Sequence, residues 1–279
     1  MNRIRRECDL SPRDISRFRD TIYLNYREHG RILPWRQTRD PYKILVSELM
    51  LQQTQVERVA AKYELFIRNF PNFAELAHAR MQNVLEVWRG LGYNRRALAL
   101  MRVAQIVETE FNGKLPSDYA ALLELPGVGQ TTACAIRAFA FDVPEVFIET
   151  NVRAVYIHTF FANDEAIRDD ELYPFVECTL DRSNPRVWYY AVMDYGVTLK
   201  KKFGNPSRRS AHHRKQPAFK FSNRQLRGQI LAQIVTHPGI TEPELLCMLN
   251  SDPKLILRNL GKLEEEGFFK RAEERFVVE

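Results

Sequence analysis

The sequence lacks a long apolar segment. None of its 279 residues falls in a run near the roughly 18 apolar residues that a transmembrane helix needs. The start, MNRIRRECDLSPRD, has basic residues but no apolar stretch behind them, and a secretory signal needs that stretch. We therefore expect a cytoplasmic protein, associated with the nucleoid if it binds DNA, and no membrane partner.

Closely spaced cysteines are also lacking. The four cysteines, Cys8, Cys134, Cys178 and Cys247, lie far apart and none forms a CxxC pair. This spacing argues against a zinc or iron-sulfur site built from neighbouring ligands. We expect the cysteines to be reduced and mostly buried.

Acidic residues are lacking from one long stretch. Residues 195 to 241 hold ten Lys or Arg and no Asp or Glu, and the rest of the chain has 31 basic and 35 acidic residues. Phe203, Phe219 and Phe221 interrupt this basic block. Such a block is either a solvated tail or a surface for polyanions, and the interleaved aromatics favour nucleic acid.

The body of the chain has the apolar spacing of short α-helices. Residues 12 to 28 fit a first helix, and a second helix is predicted to begin at Asp40 as N-cap with Pro41 after it. No β-type alternation appears before residue 265. The sequence therefore predicts a mainly α fold, long enough for a compact body and an appendage.

The C-terminal region has a different pattern. Three predicted helices, the second opened by a Thr241 to Glu244 capping box, are followed by FFKRAEERFVV, which suggests two short strands. This predicts a winged-helix domain over residues 216–279. A winged helix can read DNA through its third helix, here 253–266, but the acidic end GKLEEEG leaves contact with a protein, or simple packing, as alternatives.

The segment LELPGVGQTTACAI, residues 123 to 136, is the most specific motif. Two glycines flank Val128 between predicted helices, and the backbone amides of such a turn suit an anion. An ordinary connection between helices is the alternative. Four other segments accompany it in order: LPWR at 33–36, DPYKILVSELMLQQTQV at 40–56, WRGLGYNRRA at 88–97 and IETNVRAV at 148–155.

Together these five motifs resemble the helix-hairpin-helix (HhH-GPD) superfamily of DNA glycosylases, and most closely its A/G-specific adenine glycosylases of the MutY type. The resemblance covers roughly residues 12 to 200. It implies a two-lobed fold with one lobe from 1–37 plus 151–215 and a six-helix lobe from 38–150, and a target base flipped out of double-stranded DNA. It also implies a partner duplex with a mismatch or lesion, and a monomer is sufficient for this architecture.

Two carboxylates are the candidate catalytic groups. Release of a purine needs protonation of the base and stabilisation of a sugar cation, which carboxylates in different environments can supply. Glu48 lies among apolar neighbours that should keep it protonated, and the resemblance makes it the acid; a helix carboxylate paired with an Arg is the alternative. Glu149 stands where the family has an Asp. Because Glu is one methylene longer than Asp, three alternatives stay open: a repositioned but working carboxylate, an enzyme retuned for another lesion, or a weakened enzyme.

Thr131 stands where bifunctional relatives carry the Lys that attacks the sugar, which predicts a monofunctional enzyme without lyase activity.

The resemblance also assigns residues to a base pocket and wedge: Trp35, Arg36, Gln52, Gln53, Tyr93, Thr131 and Asn151. Packing or backbone capping remains the alternative for the tryptophan, the glutamines and the tyrosine. Phosphate contacts are predicted for Gly127, Val128, Gly129, Gln130, Thr132, Lys200, Arg208, Arg209, Arg214 and Lys215. A monovalent cation is a further expectation on the carbonyls of Leu123, Leu125 and Val128.

The segment MDYGVTLKKKFGNPSRRSAHHRK resembles the family's four-cysteine segment. Lys200, Ser207 and Ser210 stand where cysteines are expected, so we predict no iron-sulfur cluster and no other cofactor. His212 and His213 lack further ligands nearby and are assigned to phosphate or solvent, with no metal.

The sequence thus predicts a monofunctional DNA glycosylase of base excision repair, with adenine opposite 8-oxoguanine or guanine as the first substrate. One alternative is another lesion, such as thymine or uracil opposite guanine, hypoxanthine or a modified base. The other is a DNA-binding protein without catalysis.

Overall fold

The computed structural model describes residues 7–215 and 218–278. Over these residues the chain forms fourteen α-helices and one two-stranded sheet, so the predicted mainly α fold is confirmed. None of the described helices is long and apolar enough to cross a membrane.

The helices follow one another with short connections. The first seven are α1 Pro12–His29, α2 Pro41–Leu51, α3 Val56–Asn69, α4 Phe73–Ala77, α5 Met81–Trp88, α6 Arg95–Glu110 and α7 Tyr119–Leu123. The next four are α8 Gln130–Phe141, α9 Thr150–Phe160, α10 Asp169–Thr179 and α11 Pro185–Phe203. The C-terminal elements are α12 Asn223–Thr236, α13 Glu242–Met248, α14 Pro253–Glu265, β1 Lys270–Ala272 and β2 Arg275–Val277.

Side-chain caps begin several of these helices where the sequence predicts them. Asp40 accepts a hydrogen bond from the amide of Tyr42 at 2.9 Å and so caps α2. At α13, Glu244 accepts from the amide of Thr241 at 2.8 Å, which confirms the predicted capping box. These bonds satisfy amides that the first turn of a helix leaves without a partner.

The chain divides into two compact units. The first comprises Met1–Ile44, Ser117–Leu123 and Gly129–Lys215, and the second Leu45–Pro116, Glu124–Val128 and Gln216–Glu279. This division differs from the predicted domain boundaries, which kept 38–150 together and set 216–279 apart. The reason is packing, because α8 contacts α7 and α11 in the first unit, and α12 contacts α5 in the second.

Aromatic side chains form much of the first unit's core. Phe147 stacks on Tyr189 with ring centroids 4.0 Å apart, and the hydroxyl of Tyr189 accepts from the amide of Phe147 and donates to the carbonyl of Glu145. Both rings are at least 96% buried, since their exposed fractions are 4% and 0%. The extended segment that leads to Glu149 is therefore fixed to α11 two residues before the carboxylate.

The cysteines differ from the expectation in one respect. Cys8 and Cys178 form a disulfide, with their Cα atoms 6.7 Å apart, so the prediction of reduced cysteines was wrong for this pair. Because the two cysteines are 170 residues apart in the sequence, local spacing gives no indication that they pair. Cys134 is free and buried, as expected, whereas Cys247 is free but exposed.

The C-terminal region has three helices and a hairpin, as predicted. Strands β1 and β2 pair antiparallel with Arg271 opposite Phe276, and an isolated bridge joins Thr241 to Arg275. Phe276 is 1% exposed and meets Phe269 edge to face at 5.0 Å. The alternation therefore places one face of this short hairpin in the domain's core.

Candidate active site

Glu149 is the N-cap of α9. Its Oε1 accepts hydrogen bonds from the backbone amides of Asn151 at 2.7 Å and Val152 at 2.8 Å. Asp is a common N-cap and Glu is not, yet here the longer side chain folds back to make the bonds that an Asp would make. The carboxylate is half-buried and held in one orientation at the positive end of the helix.

Asn151 supports the second carboxylate oxygen. Its Nδ2 donates to Glu149 Oε2 at 3.2 Å, and its Oδ1 accepts from Lys200 Nζ at 2.8 Å. Burial lowers the pKa of Lys200, and the charge of Glu149 only partly offsets this effect. Because a lysine only donates, Lys200 fixes the amide of Asn151 with its nitrogen toward Glu149.

Helix α11 lies close against this cap. A Cβ added to Gly196 would lie 2.7 Å from the carbonyl oxygen of Asn151 and 2.8 Å from its Cβ. Glycine at this position therefore allows α11 to approach the first turn of α9. No sequence pattern marked Gly196 as part of the site.

The segment compared with the family's four-cysteine segment contacts α9 through the hydroxyl of Ser207. Ser207 is 3% exposed and its Oγ donates to the carbonyl of Thr150 at 2.9 Å, while Ser210 Oγ accepts from the amide of His212 at 3.1 Å. With Lys200 bonded to Asn151, these three positions offer an amine and two alcohols and no thiolate. They do not fit an iron-sulfur cluster, whose ligands are Cys thiolates.

Glu48 lies in the middle of α2. It is half-buried, whereas the side chains beside it on the chain, Ser47 and Leu49, are 1% and 0% exposed. Val46 and Met50, two residues away on either side, are completely buried as well. The residues adjacent to Glu48 in sequence are therefore buried, and its role as the acid stays a prediction.

The hairpin turn has the predicted geometry. Gly127 has a φ of 77° in the left-handed region, and a Cβ there would lie 3.0 Å from that of Ala99. The amide of Val128 donates to the carbonyl of Leu125 at 3.1 Å, so one of the three proposed cation ligands already accepts a hydrogen bond. Gln130 and Thr131 are exposed at the start of α8, and their DNA contacts stay predictions.

The end of α2 is fixed by a residue that the sequence did not single out. Arg96 is 7% exposed and donates to the carbonyls of Leu49, Met50 and Gln52 at 2.6 to 2.9 Å. Burial lowers the pKa of its guanidinium to about 10. The Nε2 of Gln52 donates to the carbonyl of Gly127 at 3.0 Å, which joins this turn to the hairpin. Gln53 follows with a φ of 55°, a left-handed backbone uncommon for a residue with a side chain.

Trp35 and Arg36 are more enclosed than a pocket lining requires. Trp35 is 3% exposed, and Arg36 donates both Nη atoms to Asp194 at 2.8 and 2.9 Å. Asp194 also pairs with Arg31 at 2.6 Å. Burial alone would raise the pKa of Asp194, but the bonds and charge of Arg36 outweigh it and lower that pKa. The base contact of Trp35 and Arg36 stays a prediction, and Asp194 is the unforeseen partner of Arg36.

The basic residues of the first unit that are predicted to contact phosphate divide into two groups. Arg209 donates to the carbonyls of Ile157, Phe161, Ala162 and Asp164, and thereby ties the loop after α9. Lys200 likewise bonds within the protein, to Asn151, and the phosphate contacts of both residues stay predictions. Arg208, Arg214 and Lys215 are exposed, as are His212 and His213, and their phosphate contact stays a prediction.

Comparison with known proteins gives this geometry a context. The profile of the HhH-GPD superfamily base excision DNA repair proteins matches residues 46–189. An adenine DNA glycosylase of Mycolicibacterium smegmatis is 31% identical in an alignment of 279 positions. This alignment covers 91% of this chain and 94% of that protein. One of Buchnera aphidicola subsp. Baizongia pistaciae is 40% identical over 147 residues, 52% of this chain and 42% of that protein.

Length and fold complete the comparison. The chain spans about half the length of the Buchnera relatives, 42% and 51% for two of them. A solved thermostable thymine-DNA glycosylase aligns with a TM-score of 0.61 and 25% identity, over 69% of this chain and 90% of its own. The matched span contains Glu48, the hairpin and Glu149. The chain belongs to the HhH-GPD superfamily of base excision DNA repair proteins.

Proposed function

We propose that this protein is a monofunctional DNA glycosylase that removes adenine opposite guanine or 8-oxoguanine from double-stranded DNA. The observation that carries the proposal is the way in which hydrogen bonds orient the carboxylate of Glu149. Although the family's Asp is replaced, the carboxylate is oriented by two backbone amides. Among residues 7–215 and 218–278, its Oε2 accepts a hydrogen bond only from the side-chain amide of Asn151. A carboxylate oxygen has two lone-pair positions, so Oε2 retains capacity to face a positively charged sugar.

The proposed reaction uses the two carboxylates for different steps. Glu48 protonates the flipped adenine as the bond between the base nitrogen and C1′ of the sugar breaks, and the base leaves with that electron pair. Glu149 stabilises the positive charge that develops on the sugar. Water then adds to C1′ and its proton passes to Glu149, which leaves an abasic site.

The absence of a lyase step is part of the proposal. Thr131 at the start of α8 is exposed and has a hydroxyl, which cannot form a Schiff base with the sugar. Product strands should therefore stay intact until alkali is added. Reduction with borohydride should trap no covalent complex.

The test is base release from a panel of duplexes, each run with and without alkali. The panel holds adenine opposite 8-oxoguanine or guanine, hypoxanthine, and thymine or uracil opposite guanine. We expect breakage after alkali with adenine first. No release from any duplex, with normal DNA binding, would instead favour a binding protein without catalysis.

A second candidate function is removal of thymine or uracil opposite guanine. The likeness to a thymine-DNA glycosylase structure supports it. Glu48 supports the purine, because release of a pyrimidine depends less on protonation of the ring. The same panel separates the two, since thymine or uracil release ahead of adenine would assign the second function.

A further inference from the structure

A groove of about 1700 Å³ lies within the second compact unit. One side is the segment 89–96 between α5 and α6, and the other is α12 of the winged-helix domain with Phe219 before it. Gln52 and Gln53, at the end of α2, also line it. The winged helix and the hairpin-containing part of the chain thus share one concave surface.

The groove is strongly basic. Six arginines and one lysine line it, against one carboxylate residue, Glu86. Arg95 and Arg227 are paired with Glu266, and Arg96 is bonded to carbonyls. In the described part of the chain no carboxylate lies within ion-pair distance of the others, Arg58, Arg89, Arg224 and Lys262. The charge of the groove is therefore complementary to a polyanion such as a DNA strand.

Glu266, at the end of α14, holds the two sides together. It accepts from Arg95 of α6 at 2.6 and 2.9 Å and from Arg227 of α12 at 2.6 Å. Burial alone would raise the pKa of Glu266, but these two arginines outweigh it and lower that pKa. The groove is accordingly present before any ligand arrives, which limits the ordering that binding requires.

Arg224, on α12, lies between two aromatic rings. The guanidinium of Arg224 lies 5.1 Å from the ring centre of Tyr93 and 5.4 Å from that of Phe219, and it donates to the hydroxyl of Tyr93. Its Nε is buried and has no acceptor among the described residues. Tyr93 itself has a φ of 48°, a left-handed backbone that is strained for an aromatic residue and is found at functional sites.

Adenine is an ordinary DNA base, so an enzyme that removes it has to select on the base opposite. That base loses its partner when the adenine flips, so its identity has to be recognised through contacts with the protein. Building on the proposed function, we propose that the groove holds the DNA strand opposite the excised base. Arg224, between Tyr93 and Phe219, donates to the O6 and N7 acceptors of the unpaired guanine, the bidentate contact that suits a guanidinium.

The test compares Arg224→Gln with the wild type under enzyme excess, on adenine opposite guanine and on adenine opposite an abasic site. We expect the rate on the guanine duplex to fall about tenfold, as for loss of one bidentate contact. The abasic duplex has no base to contact, so its rate should change less than twofold. Arg224→Lys keeps the charge but not the fork, and should lose the preference as well.

Arg89→Gln is the matched control in the same groove. It should weaken binding to both duplexes equally and reduce the salt dependence by about one phosphate contact. Equal losses on both duplexes for Arg224→Gln, or no loss, would overturn the proposal. If the wild type releases no base at all, the proposed function fails, and fluorescence anisotropy on the same duplexes still tests whether Arg224 distinguishes guanine from an abasic site.

Discussion

The two candidate catalytic carboxylates are held in different ways. Glu149 is fixed by hydrogen bonds to its own helix and by Asn151, which Lys200 orients in turn. Glu48 lies mid-helix, where the residues adjacent to it in sequence are almost completely buried. The hydrogen bonds of the first environment hold the carboxylate of Glu149 in one orientation. Two carboxylates in contrasting surroundings can divide the acid and the charge-stabilising roles.

The comparison also separates structural from chemical duties. Glu149 is both a helix cap and a proposed catalytic group, so its removal affects stability and rate together. Glu48 begins no helix, so a neutral side chain of the same size removes no helix cap. Substitutions that keep one of these roles and remove the other therefore test whether the two carboxylates differ in this way.

The largest effect is expected for Glu48→Gln. The amide keeps the size of the side chain but cannot give up a proton, so adenine release should slow by about 1000-fold, within the usual range for loss of a general acid. Single-turnover rates measure this. The control is Glu64→Gln, an exposed carboxamide exchange on α3, which should leave the rate unchanged. A Glu48→Gln protein with full activity would remove Glu48 from the mechanism.

Glu149 is tested by a pair of substitutions. Glu149→Ser keeps a strong N-cap but removes the charge, so we expect thermal stability within about 2 °C of wild type and a rate about 100-fold lower. Glu149→Asp keeps cap and charge and should stay within about tenfold of wild type. A serine variant with wild-type rate would show that Glu149 is only a cap, and a melting curve beside each rate identifies folding defects.

Much of this arrangement follows from local pattern, and the rest does not. The caps at Asp40 and Thr241 and the hairpin at Gly127 depend on neighbours a few residues away, which the sequence displays directly. The contacts of Arg36 with Asp194 and of Cys8 with Cys178 join positions 158 and 170 residues apart. Only the folded chain brings such partners together, because nothing in local spacing distinguishes them from other charged residues and cysteines.

Gly196→Ala should have an intermediate effect. The added Cβ would meet Asn151 at 2.7 Å, so α11 and the first turn of α9 must separate and Glu149 must shift. We expect a loss of about 1 to 3 kcal/mol in the free energy of unfolding and a rate about tenfold lower. Gly261→Ala in α14 is the control, since nothing lies within 4 Å and alanine favours a helix. Equal stability for both variants would mean that the close approach is absent.

The smallest effect is expected for Lys200→Met, which acts on Glu149 only through Asn151. Without the ammonium group, the amide of Asn151 is oriented only by its bond to Glu149 itself. We therefore expect a small effect, a rate about threefold lower, which corresponds to the loss of one weak hydrogen bond. A pH profile distinguishes this role from packing. Burial lowers the pKa of Lys200, so in the wild type the charge is lost below the ordinary value of 10.5, and the rate should decline as pH rises through that lowered pKa. Lys200→Met should lack this alkaline decline, whereas Lys201→Met, an exposed neighbour, should keep it. An unchanged alkaline limb in Lys200→Met would place the titrating group elsewhere, and Glu149 would then owe its orientation to the backbone amides of α9 alone.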